Sequence, residues 1–347
     1  MKKNFTILLA MMFALSLIAF GSGENRAGTS SAPELTIPVG ARYLGTVGSG
    51  VAIASGLEAI YWNPAGVDNA RRDVNAMFSF RDYIADINVN FASISSRFSF
   101  GTLAISLRSF ELGEIKVTTE SAPDGTGEIL EPTFFVIGGT YSVGLSDRTS
   151  VGVTVNAIQE SFGRVNASGV SFDLGVQYRD LIGIQGLTTG VTVKNLGPGL
   201  KYEGSGLFRQ ADVQGSDREA GFLQVSAATF DLPTVFEIGL AYSYPIGDEN
   251  SLMVTSAYQN NNFAVDEYRF GVEYSYDQLL YVRGGYLFST DPVQGANVAT
   301  DHVFENFTLG FGVNFANVGN LDIDLNYAYV PAELFNDNHV VGINVGF

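Results

Sequence analysis

No cysteine occurs among the 347 residues, and histidine occurs only twice. The first absence excludes a disulfide scaffold, a thiolate metal site and a thiol nucleophile. The second leaves most metal-hydrolase and triad chemistries short of parts. Charged residues make up 16% of the chain, low against the roughly 25% usual for soluble domains. Basic side chains number 19 against 36 acidic ones, a formal net charge of −17. With no basic surplus to displace counterions from phosphates, nucleic acid is excluded as a partner. Beyond the first twenty residues no run approaches 18 continuous apolar residues, so no later segment reads as a transmembrane helix. What abounds is Gly (40), Phe (26) and Tyr (16), a composition that does not fit disorder.

The N-terminus reads as a targeting segment. Lys2 and Lys3 precede an apolar run from Ile7 to Phe20, and Gly21, Ser22 and Gly23 supply a cleavage site. That is the layout of a signal peptide over residues 1–23, and its apolar run is too short to span a bilayer. With no cysteine at the junction, a lipoprotein anchor is excluded.

Period two governs most of the remainder. In the last segment Val341, Ile343, Val345 and Phe347 alternate with Gly342, Asn344 and Gly346. Phe307, Leu309, Phe311, Val313 and Phe315 alternate with Thr308, Gly310, Gly312 and Asn314 in the same way. Successive strand side chains point to opposite faces, so each segment has one greasy face and one small or polar face. A soluble sandwich would turn the greasy face inward; an outer-membrane barrel would turn it to lipid. Tyr242, Tyr244, Tyr274, Tyr276, Tyr327 and Tyr329 end apolar faces, where a membrane–water girdle places tyrosine. The opposite face is rich in glycine, which suits a crowded lumen.

Fourteen strands are predicted, beginning near Val74, Ile87, Gly101, Thr133, Ser150, Gly169, Gly186, Thr234, Ser251, Val265, Leu279, Asn306, Leu321 and Asn338. The even number, and connections that alternate between tight turns and long excursions, fit an antiparallel up-and-down transmembrane β-barrel. Long excursions run from Glu111 to Pro132, Asn195 to Pro233 and Ser289 to Glu305; they are expected outside the cell, with the short turns periplasmic. The barrel is expected over residues 73–347. Among its lumen-facing charges are Glu237, Arg269, Glu273, Arg283, Asp322 and Asp324, expected to pair with one another or with Arg42.

Residues 24–72 do not alternate and are expected to form a plug, or hatch, inside the lumen. Gly45, Gly48 and Gly50 superficially resemble a phosphate loop, but no strand precedes them and no Lys-Ser/Thr pair follows, so no nucleotide and no other cofactor is expected. His302 and His339 lack any nucleophile constellation; no enzyme is expected, and no metal site.

The segment Gly40-Ala41-Arg42 through Gly45 and Gly48 to Trp62-Asn63-Pro64-Ala65-Gly66 resembles the PorV/PorQ family, within the FadL-like outer-membrane barrels. It departs from the pattern of many relatives at Val47-Gly48-Ser49 and Ser55-Gly56. The resemblance implies an outer-membrane protein of type IX secretion that receives or shuttles exported cargo at the cell surface. Its implied partners are the translocon and cargo proteins, besides outer-membrane lipid. A terminal aromatic such as Phe347 is what the barrel-assembly machinery recognises in such proteins. FadL-like barrels instead carry hydrophobic small molecules inward, which is the alternative function; a soluble secreted β-protein is the third.

Overall fold

A computed structural model describes residues 26, 28–211, 221–289, 304–333 and 335–347. The proposed signal peptide lies outside the described residues, as do His302 and most of the excursion from Ser289 to Glu305. Where the sequence alternates, the chain forms strands: β1 (Val74–Asp82), β2 (Asn88–Phe98), β3 (Gly101–Glu111), β4 (Thr133–Gly144), β5 (Thr149–Phe162), β6 (Val165–Arg179) and β7 (Leu187–Leu196). The second half continues with β8 (Val235–Ile246), β9 (Asn250–Asn261), β10 (Glu267–Tyr276), β11 (Leu280–Ser289), β12 (Phe307–Val318), β13 (Leu321–Val330) and β14 (Asn338–Gly346). Each pairs antiparallel with its neighbour, and β1 pairs with β14 from Asn75↔Gly346 to Arg81↔Val340, closing the cylinder. Closure satisfies every strand edge, which a membrane-spanning sheet requires.

The greasy face points outward. Ile105 is 64% exposed, Leu309 52% and Ile343 41%, whereas their neighbours Ser106 and Arg108 are buried on the luminal side. The sandwich reading fails on this point, because no second sheet stacks on those side chains. Among the described residues no helix is long and apolar enough to cross a membrane; strands do so instead. Tyr274, Tyr276 and Tyr327 are exposed on the outer face near its ends. Tyr327 also shares a 2.8 Å hydrogen bond with Nδ1 of His339 and stacks on its ring, an amphipathic pair suited to a membrane–water boundary.

Both ends of the barrel sequence, Val74 and Phe347, meet at the rim that carries the short turns; the Phe347 N–H donates to the Val74 carbonyl at 2.8 Å. The lengths sort less cleanly than expected. Residues 163–164 form a two-residue turn on the long-loop rim, and residues 180–186 a seven-residue turn on the other. The cause of the first is that β5 and β6 extend as a ladder down to Phe162↔Val165, so β6 starts four residues before the expected Gly169. Its Asn166 then exchanges backbone hydrogen bonds of 2.8 and 2.9 Å with Glu203 of the longest loop. The long loops also hold small hairpins that the sequence pattern did not reveal, pairing Ile115–Lys116 with Ile129–Leu130, Leu200–Lys201 with Thr229–Phe230, and Phe208–Ala211 with Gly221–Gln224.

A closed antiparallel cylinder resists dodecyl sulfate until heated. Unboiled protein is therefore expected to run faster on a gel than boiled protein, and identical mobility would count against closure.

Candidate functional site: the hatch and the charged lumen

Six short helical turns fill the barrel: Pro33–Thr36, Ala41–Leu44, Gly50–Ala52, Gly56–Glu58, Ala59–Trp62 and Pro64–Asn69. Gly40, Gly45 and Gly48, with Pro38 and Pro64, break the segment between them. Gly40 and Gly48 sit at φ +82° and +77°, where a side chain would be strained. Proline opens the first and last turns, at the helix start where a missing N–H costs nothing.

The Trp-Asn-Pro-Ala-Gly run holds the hatch to itself and to the wall. Trp62 is buried; its indole N–H donates to the Val39 carbonyl at 3.1 Å, and its ring packs edge-on against Tyr61. The Asn63 amide, also buried, donates to the carbonyls of Val51 at 2.9 Å and of Val176 on β6 at 3.1 Å. Its oxygen accepts the Ala65 N–H at 3.2 Å, capping the last turn. Pro64 and Ala65 are buried, and a Cβ on Gly66 would stand 1.8 Å from the Ala54 carbonyl oxygen. Gly45 meets the wall directly: its Cβ position lies 2.9 Å from the Gly310 Cα on β12. This backbone-to-backbone approach is what the glycine-rich luminal face provides. Asn63→Ala would strand buried partners at a cost of about 1–3 kcal/mol. The expected result is a loosened hatch, measured as increased entry of an excluded hydrophilic dye into proteoliposomes, with the barrel still folded.

The luminal charges fall into three groups. Glu237 is paired with Lys194 at 2.9 Å and with Arg269 at 3.7 Å, and Arg269 also binds Glu267. Below them Glu273 is paired with Arg283, while Arg42 of the hatch lies 3.6 Å away. Glu58, buried beside them, accepts the backbone N–H groups of Arg42 and Tyr43 at 3.3 and 3.4 Å; burial pushes its carboxyl up to about 7. Near the short-turn rim Asp322 holds Arg72 through two hydrogen bonds of 2.8 and 2.9 Å, so its partner is Arg72 and not Arg42. Asp324 accepts from the amides of Asn314 and Asn344. Every one of the six expected luminal charges therefore has a partner. Phe347 is exposed at the short-turn rim.

Sequence reasoning missed several luminal charges: Arg81, Arg108, Glu160, Asp173 and Lys194, all buried. The signal was available, since each occupies the small-residue phase of an alternating strand, as Lys194 does after Val191 and Val193. Above the hatch, towards the long-loop rim, a cavity of about 270 Å³ is bordered by Tyr61, Trp62, Arg81, Lys194, Arg269 and Phe304. A smaller, polar recess of about 80 Å³ opens below it around Arg72, Asp322 and Asp324. Among the described residues no group of three metal-ligating His, Asp or Glu side chains occurs.

A family model described as "Type IX secretion system protein PorV" matches residues 20–215, more than half of the chain. The chain belongs to the PorV family. Among solved structures, this PorV-family chain is similar to the CymD monoaromatic hydrocarbon channel at 14% identity and a TM-score of 0.54, covering 88% of this chain and 96% of that one. It is also similar to the Ralstonia pickettii toluene transporter TbuX (12%, TM-score 0.50, 87% and 98% covered) and the Pseudomonas putida toluene transporter TodX (11%, TM-score 0.50, 85% and 94% covered). At these identities the likeness shows a shared barrel fold. No curated protein matches the sequence. Family and fold place the protein in the outer membrane, where it is a secretion-associated barrel.

Proposed function

We propose that this PorV-family barrel is a sealed docking protein of type IX secretion, which receives exported cargo on its long-loop rim and faces that rim outward. The observation that carries the reading is the seating of the hatch. Backbone-to-backbone contact at Gly45 and Gly310 and the double anchor of Asn63 fill the lumen between the upper cavity and the lower recess. A lumen so filled leaves the rim as the working surface. That rim carries exposed Glu120, Asp124, Glu128 and Glu131 beside exposed Phe208, Phe222 and Leu223. Acids around apolar anchors fit a protein partner that offers basic and apolar groups. The luminal ion pairs then act as struts for the hatch, and Phe347 serves barrel assembly.

The aromatic lining of the upper cavity is what favours the second reading, entry of hydrophobic small molecules. Deleting the protein separates the two. The docking reading expects cargo to accumulate in the periplasm while uptake of monoaromatic compounds stays normal. Normal cargo export with impaired uptake would reverse the choice.

A further inference from the structure

Two buried carboxyl groups meet where hatch, wall and loop converge, and neither belongs to the ion pairs described above. Glu34 lies on the first hatch turn and is 4% exposed; Glu160 lies on the luminal face of β5 and is fully buried. The two carboxyl groups are within hydrogen-bond reach of each other. Both oxygens of Glu34 and Oε1 of Glu160 are buried without a donor. The other Glu160 oxygen accepts the hydroxyl of Tyr202, which belongs to the loop 197–234. Its residues 200–202 and 229–232 form a cap over the first hatch turn: Leu200 and Leu232 are buried in one cluster with Ala32 and Leu35, and a Cβ on luminal Gly169 would lie 2.1 Å from Leu200. The hatch is also stitched to the cap beside this point. Ser31 donates its backbone N–H to the Asp231 carbonyl at 2.9 Å and its hydroxyl to the Phe230 carbonyl at 2.8 Å.

The surrounding charges do not neutralise the pair. Arg108 on β3 is the cation that acts on Glu34, but it is also drawn to Asp173 on β6 and faces the Tyr61 ring. Lys194 on β7 is taken by Glu237. Two like charges in contact in a dry site cannot both stay ionised. One proton resolves the orphaned oxygens, because a protonated carboxyl donates to its neighbour.

We propose that Glu34 carries a proton that it donates to Glu160, and that this proton latches the cap, residues 200–202 and 229–232, and the hatch to the barrel wall, so that its loss releases the cap. Burial, reinforced by the Glu160 charge, pushes the Glu34 carboxyl up to about 8. A raised carboxyl favours the closed state fully below its solvent-exposed value. That advantage is lost as pH rises towards about 8 and is gone above it. The latch is therefore fast in acid and slack at mildly alkaline pH, whichever cargo or ligand the rim receives.

Hydrogen exchange of the cap strand amides, residues 200–201 and 229–230, tests this on full-length protein in lipid nanodiscs between pH 5 and 9. Wild type is compared with Glu34→Gln at each pH, which cancels the intrinsic pH dependence of exchange and any contribution from Glu58. Glu34→Gln keeps a donor towards Glu160 without titrating. The ratio of wild-type to variant cap opening is expected to rise by up to about tenfold per pH unit, as one released proton requires, and to level off near pH 8. A ratio independent of pH overturns the proposal. Difference infrared spectra give a second reading: wild type should lose a protonated-carboxyl carbonyl band between pH 6 and 9 that Glu34→Gln lacks, and identical spectra from the two proteins contradict the latch.

Discussion

Gly175→Leu is expected to unseat the hatch and open the barrel. Gly175 lies on the luminal face of β6, and a Cβ there would stand 2.1 Å from Oδ1 of Asn63 and 2.8 Å from Cδ of Pro64. Neither neighbour can yield: Asn63 is fixed by hydrogen bonds to Val51, Val176 and Ala65, and the Pro64 ring is rigid. Overpacking of this kind costs about 1–3 kcal/mol even where side chains can shift. The open-hatch fraction should therefore rise by at least about fivefold, since each 1.4 kcal/mol is a factor of ten. The check is sensitivity to a large hydrophilic antibiotic in cells expressing the variant as their sole copy. Gly139→Leu is the control. Gly139 lies on the outer face of β4 with no atom within 4 Å of its Cβ position, and leucine there adds apolar surface to the lipid side. It should leave sensitivity unchanged. Equal effects from the two substitutions would refute the glycine-lined seat.

A charge in the outer wall has the other large expected effect. Ile105 sits mid-way along β3 and is 64% exposed on the outer face. Arginine at the bilayer midplane costs about 2–4 kcal/mol, falling to about 0–1 near the interfaces. Ile105→Arg should lower the urea midpoint of folding into lipid vesicles and reduce the heat-modifiable fraction. Ile182 has a comparable exposure of 71% but lies in the turn 180–186 at the rim. It also holds φ +50°, a conformation that a β-branched residue disfavours. Ile182→Arg should therefore be neutral or better. In a soluble protein, where both positions face water, the two substitutions would behave alike.

Most of the barrel was legible because its physics is local. Lipid outside and a crowded hatch inside impose opposite demands on consecutive residues, so Phe311 between Gly310 and Gly312 announces both its strand and its facing. All fourteen strands began within about four residues of where alternation placed them. Gly169 was mistaken for the start of β6 because the residues before it sit beyond the rim, where neither lipid nor hatch imposes alternation. The cap hairpins were invisible for the same reason. The hatch motif was legible as a resemblance, yet its partners were not. That Asn63 reaches β6 and that Arg72 takes Asp322 depend on contacts between residues 113 or more positions apart in sequence. Glu34 and Glu160 are the extreme case. Each alone reads as an ordinary acid, and only the fold brings them together.

The outward-facing greasy wall around a filled lumen can be tested with a single indole. The chain has one tryptophan, Trp62, which lies buried in the hatch. Ile105→Trp combined with Trp62→Phe moves the fluorophore from the hatch to the outer wall. In vesicles of lipids brominated along the acyl chains, emission from the introduced indole should be strongly quenched, while wild-type emission from Trp62 should be nearly untouched. Undiminished emission from position 105, or equal quenching of both proteins, would contradict the account.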